Sequence, residues 1–333
     1  MNIGVIGAGS WGTTLADLLA RKGYPVSLWA FEPELAEGME RSRENDLYLP
    51  GFVLAENLSV TSDLAGAVSG KEMLVLVSPS QVMRRVMEGA ASHIGPDTLI
   101  VSASKGIEND TLLPMSDVLE AVLPEGLSGQ LAFLSGPSFA REVAAGMPTA
   151  VVAASSDAGV ARRVQEAFNT DCFRVYTGDD VVGVELGGAL KNVVALAAGV
   201  CDGLGFGYNS RAALITRGLA EMTRLGVAMG ARPETFAGLA GMGDLVLTCT
   251  GDLSRNRTVG MELGRGRKLD DILAGMQMVA EGVKTTLSAY QLARKLGVEV
   301  PITEQMYSIL YEDKDPRQAV SDLMLRRLKS EGE

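Results

Sequence analysis

The chain has 333 residues, is 47% hydrophobic and 21% charged, and carries a net charge of −11 from 30 basic and 41 acidic residues. That length and apolar content suit two domains with large cores and exclude a disordered chain. The acidic balance and the 5% aromatic content argue against a nucleic-acid footprint, so an anionic ligand must be held by local cations working against the overall field.

In chain order, an apolar run, Ile3–Ile6, leads directly into Gly7-Ala8-Gly9-Ser10-Trp11-Gly12, and an amphipathic segment, Thr13–Lys22, follows. This is G-x-G-x-x-G between a strand and a helix. Gly7 permits the tight turn, Gly9 lets backbone approach a pyrophosphate, and Gly12 lets the helix pack on the sheet. The helix N-terminus offers N–H groups and a positive dipole end to the anion. Strand-like runs recur at Val26–Trp29, Leu58–Thr61, Met73–Ser78, Leu99–Ala103, Ala132–Ser135, Ala150–Ala153 and Phe173–Tyr176. Helical stretches lie between them at Trp11–Lys22, Pro33–Arg43, Gln81–Ala91, Leu112–Val122 and Val160–Phe168. Continuous apolar strands alternating with helices predict an α/β unit, a Rossmann-type doubly wound parallel sheet, over residues 1–183.

After about Val182 the β-branched runs thin out. Helical patterns take over at Val184–Val200, Ser210–Met229, Asp270–Met276, Thr285–Leu296, Thr303–Tyr311 and Pro316–Leu328. They predict a mostly α-helical C-terminal domain over residues 184–333. Asn209 and Ser210 are candidate N-caps of the longest helix, Gly230 its stop, and Gly203–Gly207 a tight loop. The charged tail Arg326–Glu333 is expected to fray.

Cys172, Cys201 and Cys249 are far apart and lack metal-ligand spacing, so no metal site and a reducing compartment are expected. No leader-like segment precedes the first strand, and the apolar run Val193–Cys201 is shorter than the roughly 20 residues that cross a bilayer. A cytoplasmic protein without membrane insertion is the expectation.

Glu32 stands about 20 residues beyond Gly12, after the second strand, where a carboxylate accepts hydrogen bonds from ribose hydroxyls and favours NAD. Neither Ala30 nor Phe31 is basic, so no obvious 2′-phosphate clamp exists, and Arg21 and Lys22 remain unplaced candidates for one. NAD is expected to serve at least as well as NADP. His93, the single histidine, sits near a Gly-Pro turn and reads as a surface residue, which turns attention to lysine as proton carrier. Lys191 and Asn192 interrupt an apolar, small-residue helix, Glu185–Gly199, where burial demands partners unless the lysine snorkels to solvent. Lys105 follows a strand at the carboxyl edge of the sheet, where open α/β folds bind ligands. Asp244 stands among glycines and apolar residues. Ser254-Arg255-Asn256-Arg257 combines a guanidinium fork with hydroxyl and amide donors, which suits a phosphate or a solvated turn.

The strings GAGSWGTTLA, NDLYLPG, SASKGIE, SGPSFAREVAAGMPTAVVAAS, ELGGALKNVVALAAG, NSRAALITRGLAEM, GLAGMGDLVLTCT, LSRNRTVG and VAEGVKTT run in order from Asn2 to about Glu312. In them the chain resembles the bacterial-type NAD(P)-dependent glycerol-3-phosphate dehydrogenases. The resemblance implies hydride transfer between sn-glycerol 3-phosphate and dihydroxyacetone phosphate with NAD or NADP, supplying the phospholipid backbone. It implies that Lys191 transfers the proton, with Lys105 and Asp244 completing the catalytic set. It implies substrate contacts at Lys105, Gly136, Ser138, Lys191, Asp244, Ser254, Arg255 and Asn256. Cofactor contacts are implied at Ser10, Trp11, Lys105, Ala140, Arg255, Val279 and Glu281, beside Gly7, Gly9, Gly12, Phe31 and Glu32. Family members often carry a basic residue where Phe31 stands, and they are commonly homodimers. A ketopantoate-reductase-like or β-hydroxyacid dehydrogenase is the alternative within enzymes, which Arg255-Asn256 and Lys105 disfavour. A dinucleotide-sensing module without chemistry is the alternative outside them.

Overall fold

The computed structural model describes residues 1–276, 280–328 and 330–331. Short apolar runs such as Ile3–Ile6 and Met73–Leu76 form strands buried along their whole length, because helices cover both faces of the sheet they share. The strands are β1 (Ile3–Ile6), β2 (Val26–Trp29), β3 (Glu44–Asn45), β4 (Leu49–Val53), β5 (Leu58–Thr61), β6 (Met73–Leu76), β7 (Leu99–Ser102), β8 (Leu131–Ser135), β9 (Thr149–Ala154) and β10 (Phe173–Gly178). Eight of them form one sheet in the order β10-β9-β8-β7-β6-β1-β2-β5, and β3 and β4 pair as a separate hairpin. Strand order reverses at β1, which pairs in parallel with both β2 and β6. The carboxyl ends of β1 and β6 therefore open a crevice at the switch point.

The sheet departs from the all-parallel expectation at one edge. β9 pairs antiparallel with β8 and parallel with β10. The only helix between β8 and β9 is Ala140–Ala144. At 1.5 Å per residue it is about 7.5 Å long, too short to carry the chain back along the sheet. The hairpin β3–β4 and the short helices Leu64–Val68 and Ala140–Ala144 lacked a readable period. The stretch read as Leu112–Val122 becomes a helix only at Met115, because Leu112 is left-handed (φ 60°) and Pro114 caps the helix. Leu15, Leu19, Met39, Val164 and Phe168 fill one face of the sheet; Met83, Met87, Val118 and Leu119 fill the other.

The helix Val181–Gly203 is apolar on all sides and buried almost throughout, as the centre of the helical half must be. It runs longer than the segment read from the sequence and, at 23 residues, is long and apolar enough to cross a membrane, yet 83% of its most apolar stretch is buried inside the protein. The helix Arg255–Gly264 crosses it backbone against backbone. A Cβ on Gly199 would fall 2.0 Å from the Arg257 carbonyl oxygen, and one on Gly260 would fall 2.0 Å from that of Leu196. Only glycine allows this approach, and it fixes where the start of Arg255–Gly264 lies. The longest exposed helix is Tyr208–Ala228, with the extended Gly207 as its N-cap. Asn209 and Ser210 thus belong to its first turn and do not cap it. Gly230, beyond its end, has φ 95°.

Candidate active site

The glycine turn after β1 tests whether a dinucleotide fits. Gly7 has φ 118°, a conformation L side chains rarely adopt, and a Cβ on Gly12 would stand 1.8 Å from the Gly7 carbonyl oxygen. Around Gly9 the opposite holds: nothing lies within 4 Å of where a Cβ would stand. The turn is sealed on the helix side and open at Gly9, directly over the start of the helix Ser10–Arg21, whose N-cap, Gly9, offers no side-chain cap. That is a cradle for an anion, and the residues present fit a dinucleotide pyrophosphate.

Around the cradle, Trp11 is half-buried against Phe173, with ring centroids 6.4 Å apart. Ala140 opens its helix beside Ser10–Arg21, its carbonyl accepting from Thr14 Oγ1 at 3.2 Å. Phe31 is 67% exposed and stands edge-on to Trp29. Glu32 is exposed at the N-cap of the helix Pro33–Ser42. Tyr48 faces Glu32, and burial together with that negative charge raises its hydroxyl above the usual range. The two cations left open as phosphate clamps are engaged elsewhere. Arg21 pairs with Asp17 at 2.6 Å, and Lys22 donates to the carbonyls of Glu166 and Asn169 at the end of the helix Ala158–Phe168. Val279 lies outside the described residues.

Across the crevice the catalytic candidates converge. Lys191 is 8% exposed, and its Nζ donates to Asp244 Oδ1 at 2.5 Å and to Thr248 Oγ1 at 2.9 Å. Lys105, arriving from the carboxyl end of β7, donates to Asp244 Oδ2 at 2.7 Å and to the Gly136 carbonyl at 3.2 Å. Asp244, 1% exposed, thus joins a residue of the sheet half to one of the helical half. Burial pulls the Lys191 ammonium down to about 8; Asp244 opposes that shift and the Lys105 charge adds to it. A desolvated amine near neutrality, beside a second cation, suits proton transfer to an oxygen that gains negative charge. Ser138 follows Gly136 and donates to its carbonyl at 3.0 Å.

The third cluster stands at the start of Arg255–Gly264. Ser254 is the N-cap, its Oγ accepting from Arg257 N at 3.3 Å. Asn256 Nδ2 donates to Asn192 Oδ1 at 2.9 Å, and its Oδ1 accepts from Gly282 N at 2.9 Å, so one amide N–H remains for a ligand. Arg255 is exposed and has no hydrogen bond or ion pair among the described residues. Burial raises the Glu281 carboxyl, opposed by the charges of Arg255, Lys105 and Lys191, which places Glu281 on the same crevice. Lys105, Lys191, Asp244, Arg255 and Glu281 therefore gather where the sheet half meets the helical half. His93 lies exposed in a short turn, Ala91–His93.

Sequence reasoning missed Thr248 and the structural use of Asn192. Thr248 is four residues beyond Asp244 on the helix Asp244–Thr250, so both reach Lys191 from one face. That spacing would have exposed it, but the glycines before Asp244 masked the helix.

Two family models match the chain: "NAD-dependent glycerol-3-phosphate dehydrogenase N-terminus" over residues 2–161 and the corresponding "C-terminus" over residues 180–321. "Glycerol-3-phosphate dehydrogenase [NAD(P)+]" of Syntrophotalea carbinolica is 69% identical over 331 residues, 99% of each chain. The crystal structure of the glycerol-3-phosphate dehydrogenase of Coxiella burnetii superposes with a TM-score of 0.93 at 42% identity, covering 98% of this chain and 99% of that one. A ketopantoate reductase structure from Ralstonia eutropha, at 16% identity and a TM-score of 0.60 over 96% of this chain and 100% of that one, shares the fold alone. The chain belongs to the NAD(P)-dependent glycerol-3-phosphate dehydrogenase family.

Proposed function

We propose that this dehydrogenase moves the substrate proton through Lys191, in a cleft between a dinucleotide unit, residues 1–183, and a substrate unit, residues 184–333. One observation carries the reading: a buried amine, held by Asp244 and Thr248, whose pKa burial lowers to about 8. Gly7, Gly9, Ser10, Trp11, Gly12, Ala140 and Glu281 would hold the dinucleotide, with Phe31 and Glu32 at its adenosine ribose. When bound, the dinucleotide supplies the hydride that C2 receives. Arg255 and the free N–H of Asn256 grip the substrate phosphate, with Ser254 and Ser138 beside it. The Lys191 ammonium gives its proton to the C2 carbonyl oxygen of dihydroxyacetone phosphate and is left neutral; in the oxidation the neutral amine takes the hydroxyl proton. Lys105 adds positive potential where the alkoxide develops, and Asp244 aims both amines.

A hydrophobic ring at Phe31 and an acid at Glu32 favour NAD over NADP, since Arg21 and Lys22, the candidate 2′-phosphate clamps, are engaged elsewhere. Supply of glycerol 3-phosphate for phospholipid synthesis, a cytoplasmic location and a homodimer complete the reading. The test is oxidation of NADH at 340 nm with dihydroxyacetone phosphate and, in parallel, ketopantoate. Turnover of the triose phosphate alone is expected, with Lys191→Met lowering kcat by about 10²–10⁴-fold. Near-normal kcat in that variant would remove Lys191 from the chemistry.

A further inference from the structure

The NDLYLPG string, residues 45–51, takes no part in the chemistry above, yet the fold builds it into the dinucleotide turn. β3 and β4 close as a hairpin over the start of the helix Ser10–Arg21. Asn45 is 1% exposed, and every hydrogen-bonding group of its side chain is used. Its Nδ2 donates to the Ala8 carbonyl and to Thr13 Oγ1, both at 2.8 Å, and its Oδ1 accepts from Tyr48 N at 3.0 Å. Ala8 is the residue between Gly7 and Gly9. Ser10 Oγ donates to the Tyr48 carbonyl at 2.5 Å, adding a second tie. The far side of the hairpin is braced as well. Arg141 donates to the Pro50 carbonyl at 3.2 Å and lies over the Phe52 ring at 5.4 Å, and Gly51 N donates to Glu44 Oε1 at 2.6 Å.

A glycine-flanked turn has many accessible conformations, and anion binding needs one of them held before the ligand arrives. The Ala8 carbonyl is the handle by which the protein can hold it. Two donors converge there, the Asn45 amide at 2.8 Å and Thr13 Oγ1 at 3.3 Å. We propose that Asn45 is a positioning residue for the dinucleotide: it locks Gly7-Ala8-Gly9 in its anion-binding shape, and the hairpin is the strap that holds Asn45. The proposal rests on that turn being the dinucleotide site.

The test is Asn45→Asp at pH 8, which keeps the size and the acceptor for Tyr48 N but cannot donate to Ala8 or Thr13. NADH affinity is read from its fluorescence on the enzyme, beside the melting temperature without ligand and the KM for dihydroxyacetone phosphate at saturating NADH. The expected result is NADH binding weakened about 10-fold or more, with the triose-phosphate KM within about 2-fold of wild type. A folded Asn45→Asp with wild-type NADH affinity overturns the proposal; a wild type that binds no NADH would instead overturn the reading of the turn. Should Asn45→Asp not fold, Thr13→Val removes one acceptor from the Asn45 amide and the second donor to the Ala8 carbonyl, and should weaken NADH about 3-fold, unchanged affinity again refuting the idea. Failure of both to fold would also overturn it, since Asn45 would then serve the fold and not the ligand.

Discussion

Asp244→Asn separates charge from shape at the centre of the site. Asp244 accepts from Lys191 Nζ at 2.5 Å and from Lys105 Nζ at 2.7 Å while only 1% exposed. The amide has nearly the same outline, but it bears no charge and can accept from one lysine while turning N–H groups toward the other. Opposite charges about 4 Å apart attract by about 4 kcal/mol at an effective dielectric near 20. One pKa unit corresponds to about 1.4 kcal/mol, so an attraction of that size amounts to about 3 units of further fall in the Lys191 pKa. Relaxation and water entry reduce this to about 1–2 units. The inflection expected at about 8 for the wild type, from the burial of Lys191, should move into the range of about 6–7. Two buried ammonium groups left without their carboxylate should also cost about 3 kcal/mol of stability. The assay is the pH dependence of kcat for reduction of dihydroxyacetone phosphate, followed at 340 nm on protein shown to be folded. An inflection that stays near 8 in folded Asp244→Asn would refute the electrostatic coupling.

Arg255→Ala should raise the KM for dihydroxyacetone phosphate by about 10-fold or more and leave kcat within a few-fold, because phosphate is gripped in ground and transition states alike; steady-state kinetics decide, and a change confined to kcat would contradict an anchoring role. Phe31→Arg should move the ratio of kcat/KM values toward NADPH by about 10-fold, since Arg21 and Lys22 are engaged elsewhere. An unchanged ratio would show that the 2′-phosphate lies away from residue 31. Glu185 accepts from Ser116 N at 2.9 Å, its second oxygen is buried without a partner, and burial pushes its carboxyl up to about 8. A carboxyl raised in the folded state contributes stability that is complete below its unfolded pKa and is lost as pH rises through about 8. Glu185→Gln imitates the protonated form, so it should stabilise by about 1 kcal/mol or more at pH 8 and have little effect at pH 4, checked by thermal denaturation at both values.

The strand–turn–helix of Ile3–Gly12 was legible because each glycine answers a separate steric demand, and the structure shows those demands as a sealed Gly12 and an open Gly9. The helix carrying Lys191 was legible because a lone lysine in an apolar run must find partners. What those partners were could not be read locally: Asp244 and Thr248 lie 53 and 57 residues away and meet Lys191 only through packing. The helix Asp244–Thr250 was hidden because glycines flank it closely, and Arg255–Gly264 because it carries Gly260 and Gly264, which the crossing with Val181–Gly203 requires. The antiparallel edge at β9 followed from the shortness of one connecting helix, which a pattern of apolar runs does not show. Asn45 lies in the NDLYLPG segment, but its use depends on the hairpin folding back 37 residues to Ala8.

The most direct test of Lys191 as the proton carrier is the pH dependence of wild-type kcat in both directions under saturating substrates. Reduction needs the ammonium and oxidation the free amine, so reduction should fall and oxidation rise through one shared inflection near pH 8, the value to which burial brings this amine. Parallel limbs in the two directions, or an inflection that survives unchanged in Lys191→Met, would contradict the account.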